Sequence, residues 1–177
     1  LGGSLPSVRE KFTTLIEYGQ ATLTGIVAAA MPPGATAAAL APRRLTAGWF
    51  ASTLFLNRGD HFEARPLPLE AQVSPVFGLV VADFDGDGHE DLFLTQNSYP
   101  VHPEEARQDA GRGVLLAGDG KGGFRTIPGQ ESGLIVPGEG RGAAAGDFDG
   151  DGRVDLVATQ NGNETKLFHN EHARPGL

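Results

Sequence analysis

"DFDGDGHED", residues 83–91, decides the reading, because it returns at 147–155 as "DFDGDGRVD". Counted from Asp83, the spacing is D-x-D-x-D-G-x-x-D, with carboxylates at positions 1, 3, 5 and 9 and glycine at position 6. Alternate residues of a curled chain converge on one point. An oxygen-ligated cation loop uses this geometry, taking side-chain oxygens from positions 1, 3 and 5 and a backbone carbonyl from position 7. Gly88 permits the sharp turn that a Cβ would obstruct. The candidate ligands are Asp83, Asp85, Asp87 and Asp91 with the carbonyl of His89 in the first loop. In the second they are Asp147, Asp149, Asp151 and Asp155 with the carbonyl of Arg153.

Four carboxylates around one centre repel. Two unit charges about 4 Å apart cost about 4 kcal/mol at an effective dielectric of about 20. A hard dication with oxygen preference cancels that repulsion. Ca²⁺ fits better than Mg²⁺, which demands tight octahedral geometry and keeps its waters. With no cysteine and little histidine, softer metals are disfavoured. Paired carboxylates can also serve as general acid and base. Here each acid is spaced as a ligand, and the same spacing recurs in both copies, so two Ca²⁺ sites are expected and catalysis at these loops is not.

The repeat extends beyond the loops. Residues 80–97 and 144–161 match at 11 of 18 positions without a gap, ending in the shared trio Thr-Gln-Asn. Apolar runs flank each loop: "VFGLVVAD" (76–83) and "DLFLTQN" (91–97), then "GAAAGD" and "DLVATQN". They read as strands on either side of a turn. "WFASTLFLN" (49–57) reads as a strand, "NRGD" (57–60) as a turn, and "HFEARPLPL" as the return strand. "GVLLAGDGKGGF" (113–124) is a strand entering a hairpin turn; it lacks the GK[ST] ending of a phosphate loop. "TKLFHN" (165–170) is one more strand, and "SYPVHPEEARQDAGR" (98–112) is a loop insertion. The repeating unit is therefore four strands.

Residues 1–47 differ. Ser7 and Glu10 fit a capping box. Val8, Phe12, Leu15 and Ile16 share one helical face, which Leu23, Ile26 and Val27 continue past Gly19. One helix is expected, or two broken near Gly19, followed by an irregular Ala/Pro/Gly linker over 28–44. Pro32, Pro33 and Gly34 interrupt the apolar segment 25–41, so no membrane insertion is expected.

Eight of the 22 acidic residues are the aspartates of the two loops, so the net charge of −8 is largely local. Nothing offers a basic stripe to phosphates, which excludes nucleic acid as a natural partner. With no cysteine, disulfides and thiolate zinc sites are excluded. His61, His102, His169 and His172 carry no ligand spacing and read as surface residues. Trp49 reads as core or as a contact between repeats, and Arg58-Gly59-Asp60 as a hairpin turn.

The segments "VFGLVVADFDGDGHEDLFLTQN" and "GRGAAAGDFDGDGRVDLVATQN" resemble FG-GAP/VCBS-type repeats. "ESGLIVPGEGRGAAAGDFDGDGRVDL" and "LFLNRGDHF" are similar, more closely, to the repeats of the cartilage-acidic-protein/UnbV-like family. The resemblance covers about residues 48–177. It implies an all-β fold of four-stranded antiparallel blades of a β-propeller, like the integrin α-chain head, with calcium in the loop between a blade's first two strands. It places the ligands on the ten residues named above.

The expected layout is a short N-terminal helical segment and linker over 1–47, then a partial blade at 48–70, a full blade at 74–128 and a partial blade at 140–172. Closed propellers use more blades than these roughly two. The chain is therefore expected to be a piece of something longer, or a subunit that self-associates through open blade edges. The function expected is a non-enzymatic, secreted, extracellular, cell-surface or periplasmic calcium-binding module for adhesion, assembly or display of a protein or glycan ligand. The alternatives are a structural subunit of an oligomer or filament, or an accessory carbohydrate-binding module of a larger secreted enzyme.

Overall fold

The stretch Asp91–Gln96 is buried at every position. A strand with one solvated face alternates buried and exposed residues, whereas one covered on both faces does not. Leu92 and Leu94 point to one apolar cluster, and Phe93 between them points to another. Two cores therefore lie on either side of one sheet.

The computed structural model describes residues 6–32, 46–99 and 106–175. The chain forms two units, Leu1–Gly48 and Trp49–Leu177. The second is β-rich, with three antiparallel sheets. The first sheet pairs β1 (Thr53–Asn57) with β2 (Phe62–Pro66). The second runs in sequence order through β3 (Val76–Ala82), β4 (Asp91–Gln96), β5 (Val114–Gly118) and β6 (Phe124–Ile127). The third joins β7 (Glu139–Gly146), β8 (Asp155–Asn161) and β9 (Lys166–Phe168). All neighbours are sequential, so each sheet is a meander, with β4 and β5 joined by the long segment 97–113 and the other neighbours by shorter turns.

The turns follow their residues. At Arg58-Gly59-Asp60, Gly59 takes φ +94° and its N–H meets Asn57 Oδ1 at 2.8 Å, closing the β1–β2 hairpin. Asp119 Oδ1 accepts the Lys121 and Gly123 N–H groups at 2.7 and 2.8 Å, which makes the β5–β6 turn. Strand β1 begins at Thr53 rather than at Trp49, because the Ser52 N–H is taken by Gln72 Oε1 at 2.7 Å and not by a strand partner. Trp49 is not in a core: it is 63% exposed and meets Phe55 edge-on at 5.7 Å.

The core between the second and third sheets gathers Val80, Phe84 and Phe93 with Val136, Leu156 and Ala158, and Leu115 and Phe168 pack at its edge. The other core sets Leu92, Leu94, Val114 and Leu116 against Ala71 and Leu67. Each fully buried Leu or Phe contributes about 1.5–3 kcal/mol. The repeat is visible in the backbone. Phe77 in β3 and Arg141 in β7 both sit at a register shift, and the Arg141 guanidinium lies 3.9 Å above the Phe77 ring. Asn97, closing the first Thr-Gln-Asn trio, holds φ +85° and is fully buried. Its amide donates to the Gly111, Pro137 and Gly138 carbonyls at 2.9, 3.2 and 3.1 Å, tying β4 to the segment that enters β7. The insertion after β4 is pinned by a bridge between Ser98 and Gln108; residues 100–105 lie outside the described residues.

The first unit corrects the helical expectation. It holds three short helices, α1 (Pro6–Lys11), α2 (Leu15–Gln20) and α3 (Leu23–Ala30). Ser7 lies inside α1, and the capping box belongs to Thr14 and Glu17: the Glu17 N–H donates to Thr14 Oγ1, and the Thr14 N–H to Glu17 Oε2. Thr22 caps α3 through the Gly25 N–H at 3.2 Å. These two caps set the breaks, so Gly19 sits within α2 and the apolar face is not continuous: Leu15, Ile16 and Leu23 are exposed. The expected linker begins later than predicted, since α3 reaches Ala30, and residues 33–45 lie outside the described residues. Among the described residues no helix is long and apolar enough to cross a membrane.

Candidate metal centre

Each acidic loop joins the first two strands of its sheet and curls by the same hydrogen bonds. Asp83 Oδ1 accepts the N–H groups of Gly86 and Asp87 at 2.8 and 3.1 Å, and its Oδ2 accepts that of Gly88 at 2.9 Å. Asp147 does the same for Gly150, Asp151 and Gly152 at 2.7, 3.1 and 2.9 Å. Asp85 and Asp87 take the N–H two residues on, as do Asp149 and Asp151. Such Asx turns are what short carboxylates do when the chain must curl. Glycines at positions 4 and 6 supply the left-handed backbone: Gly86 and Gly88 at +73° and +90°, Gly150 and Gly152 at +80° and +85°.

The position-nine aspartates have a separate task. Asp91 is buried, with Oδ2 accepting the Phe84 N–H at 2.9 Å and Oδ1 accepting the Gly118 N–H at 2.9 Å. Asp155 is buried too, and takes the Phe148 N–H at 3.0 Å and the Asn170 N–H at 2.8 Å. Each therefore ties the start of its loop to the end of the third strand of its sheet. Their acidities diverge. Burial raises the pKa of Asp91 above the usual carboxylate range, opposed by its two backbone donors and reinforced by the negative charges of Asp85 and Asp83. The pKa of Asp155 is lowered, first by the Asn170 N–H and then by the Phe148 N–H and His169.

Carboxylate oxygens of Asp83, Asp85 and Asp91 lie within 4.8 Å of one another, as do those of Asp147, Asp149 and Asp151. Asp87 does not join the first cluster. The donors of these two groups are all oxygen and fit a hard cation; at the second loop Asp149 and Asp155 also gather with His169, which adds a ring nitrogen. Among the described residues no hydrogen-bond donor meets the second oxygen of Asp85 or of Asp87. The second loop is more encumbered. The Arg153 guanidinium pairs with Asp151 Oδ2 and also donates to the Ala173 carbonyl at 2.9 Å. A cation drawing on that oxygen has Arg153 as its competitor.

Two residues at this site escaped the sequence reading. His169 Nδ1 stands 3.5 Å from Asp149 Oδ2 and 3.6 Å from Asp155 Oδ2, so His169 faces the second loop and is no bland surface residue. Asn170, besides its N–H on Asp155, sends its amide to the Phe84 and Val154 carbonyls at 2.7 and 3.1 Å, joining the two loops. The shared "LF-x-N" of "TLFLN" and "KLFHN" was the available signal for the asparagine; His169 had none, since it reaches the loop only through sheet pairing.

The chain matches no family model, and it matches no curated protein.

Proposed function

We propose that the second unit is a non-enzymatic, calcium-stabilised β-repeat module of the FG-GAP/VCBS type. In this reading its three sheets are successive β-propeller blades, and each acidic loop holds one Ca²⁺. One observation carries it. Two loops far apart in sequence fold to the same hydrogen-bonded cradle, each with three carboxylates converged within 4.8 Å. The repulsion thereby accepted is offset by a cation at that point. Bound Ca²⁺ would supply charge neutralisation and nothing more. Asp83 and Asp147 shape the cradle, Asp85 and Asp87 each keep a second oxygen for a cation, Asp149 and Asp151 do so in competition with His169 and Arg153, and Asp91 and Asp155 couple the loop to the third strand.

The setting in which such a site stays filled is extracellular or periplasmic, where free calcium is near millimolar. At a Kd of about 0.1 mM and about 1 mM Ca²⁺, each site adds about 1.4 kcal/mol to stability. The module would then serve adhesion, assembly or ligand display. The test is thermal unfolding with calcium and with chelator. The expected result is a higher midpoint in calcium, with two equivalents bound in titration calorimetry. Superimposable melting curves and no heat of binding would sink the reading.

A further inference from the structure

His169 meets the second loop through strand register, and the first loop has no counterpart to it. Leu156 pairs with Phe168 as Leu92 pairs with Leu116, so His169 stands where the second sheet has Ala117. The match is fixed one residue further on, where the Asn170 and Gly118 N–H groups each donate to the position-nine aspartate of their own loop. His169 Nδ1 lies 3.5 Å from Asp149 Oδ2 and 3.6 Å from Asp155 Oδ2, too long for good hydrogen bonds. One ligand atom from each of Asp149, Asp155 and His169 lies within 4.8 Å of the other two. Ligands about 2.1 Å from a tetrahedral Zn²⁺ stand about 3.4 Å apart, so the histidine separations suit a shared ion. The Phe148 ring stands beside the imidazole, with its centroid at 5.9 Å. Arg153 engages Asp151, and Asp149 Oδ1 takes the Asp151 N–H, which leaves Asp149 Oδ2 to face the histidine.

We propose that Asp149, Asp155 and His169 form a site for a divalent transition ion of the Zn²⁺ kind, chemically unlike the all-oxygen first loop. Two carboxylates and one imidazole supply three donors and leave a fourth position to water, the composition of an open zinc site. The nitrogen sets the preference. Imidazole suits Zn²⁺ and the neighbouring first-row ions, whereas Ca²⁺ takes oxygen donors. Ligation through Nδ1 leaves the ring proton on Nε2. Asp155 keeps its bonds to the Phe148 and Asn170 N–H groups, because each carboxylate oxygen has a second lone pair. Calcium in the second loop would draw on Asp149 and Asp155 as well, so the two ions compete there and not at the first loop. The proposal goes beyond the calcium reading and does not depend on it.

Titration calorimetry of the full chain with Zn²⁺ alone, in calcium-free buffer, tests it. One equivalent is expected to bind at least about tenfold tighter than any further equivalent. His169→Ala should lower that affinity at least about tenfold, and Asp149→Asn likewise, each with unchanged circular dichroism. His172→Ala, on the segment that follows β9, should leave it in place. Imidazole nitrogen NMR of the parent gives a readout that needs no variant: the first equivalent of Zn²⁺ should shift the ring nitrogens of His169 and leave those of His61 and His172. The absence of a tight equivalent overturns the proposal, as does a His169→Ala variant that binds Zn²⁺ like the parent, or a first shift at another histidine. Failure of the calcium reading would register separately, in the melting curves with Ca²⁺ and with chelator.

Discussion

Gly78 and Gly142 lie backbone against backbone: a Cβ on Gly78 would sit 3.0 Å from the Gly142 Cα and 2.8 Å from Thr95 Oγ1. Both glycines follow the register shift of their strands, so the second and third sheets approach closely here, where neither has a side chain. A methyl group there must push β3 and β7 apart. Gly78→Ala is expected to lower stability by about 1–3 kcal/mol, the range for overpacking. Gly146→Ala, whose Cβ would meet nothing within 4 Å, is the control and should leave the urea midpoint in place. Equal midpoints for the two variants would show that the sheets can separate at no cost.

Asn97 combines a left-handed backbone with a side chain whose every polar atom is used. Besides its three carbonyl acceptors, its Oδ1 takes the Gly111 N–H at 2.9 Å and the Ser74 hydroxyl at 3.0 Å. Asn97→Ala removes all of these and places a Cβ residue without a helpful side chain at φ +85°. Buried groups left unpaired cost about 1–3 kcal/mol each, and the left-handed backbone about 1–2 kcal/mol more. A loss above about 3 kcal/mol is expected for Asn97→Ala. Asn97→Gly keeps the backbone and loses only the bonds, so its denaturation midpoint should fall between those of Asn97→Ala and the parent. A glycine variant as stable as the parent would assign the asparagine to backbone conformation alone.

The sequence carried the strands and their turns because those signals are local: the apolar run of β3, the Asn-x-Gly turn after β1 and the Gly-rich turn after β5 each act within a few residues. The three-sheet layout was legible for the same reason, since two copies of one loop mark equivalent points. What depends on a neighbour was not legible. Phe84 and Phe148 are the same letter in the same motif, yet one is buried and the other exposed, because only the first has a sheet packed against it. His169 reaches the second loop through the pairing of β8 with β9, which no spacing encodes. The N-terminal helices broke elsewhere than at Gly19 because two threonine caps each offer a side-chain acceptor, and capping outweighs the modest cost of one glycine within a helix.

Glu139 gives the fold a pH dependence of known sign. Its Oε1 accepts the Tyr99 N–H at 2.7 Å and its Oε2 the Asn161 amide at 2.8 Å, with Arg141 paired beside them. The Tyr99 N–H leads in holding its pKa below the ordinary carboxylate range, followed by the Asn161 amide; burial opposes them and Arg141 adds to them. A carboxylate with a depressed folded pKa stabilises above its unfolded pKa, and that contribution disappears as pH falls through the folded value. Glu139→Gln should therefore be less stable than the parent at neutral pH, and the gap should close on acidification below the ordinary carboxylate range. Urea midpoints of the two proteins across that range supply the measurement. A gap independent of pH would mean that shape, not charge, is what Glu139 contributes.

Asp85 and Asp91 separate the two jobs of the first loop. Asp85 spends one oxygen on the Asp87 N–H at 3.1 Å, which an asparagine carbonyl can equally accept. Asp85→Asn removes a charge and little else, so in chelator its melting midpoint should match the parent or rise slightly as repulsion from Asp83 and Asp91 falls. In calcium it should lose most of the cation's increment at that loop, about 1.4 kcal/mol on the affinity argued above. Asp91 spends both oxygens on backbone donors, so asparagine must turn its NH₂ toward either the Phe84 or the Gly118 N–H. That leaves one buried donor facing another, at a cost of about 1–3 kcal/mol. Asp91→Asn is therefore expected to melt lower in calcium and in chelator alike. If Asp85→Asn were equally shifted in both buffers, the first loop would hold no stabilising cation. If Asp91→Asn matched the parent in chelator, the link from loop to third strand would carry no weight in the fold.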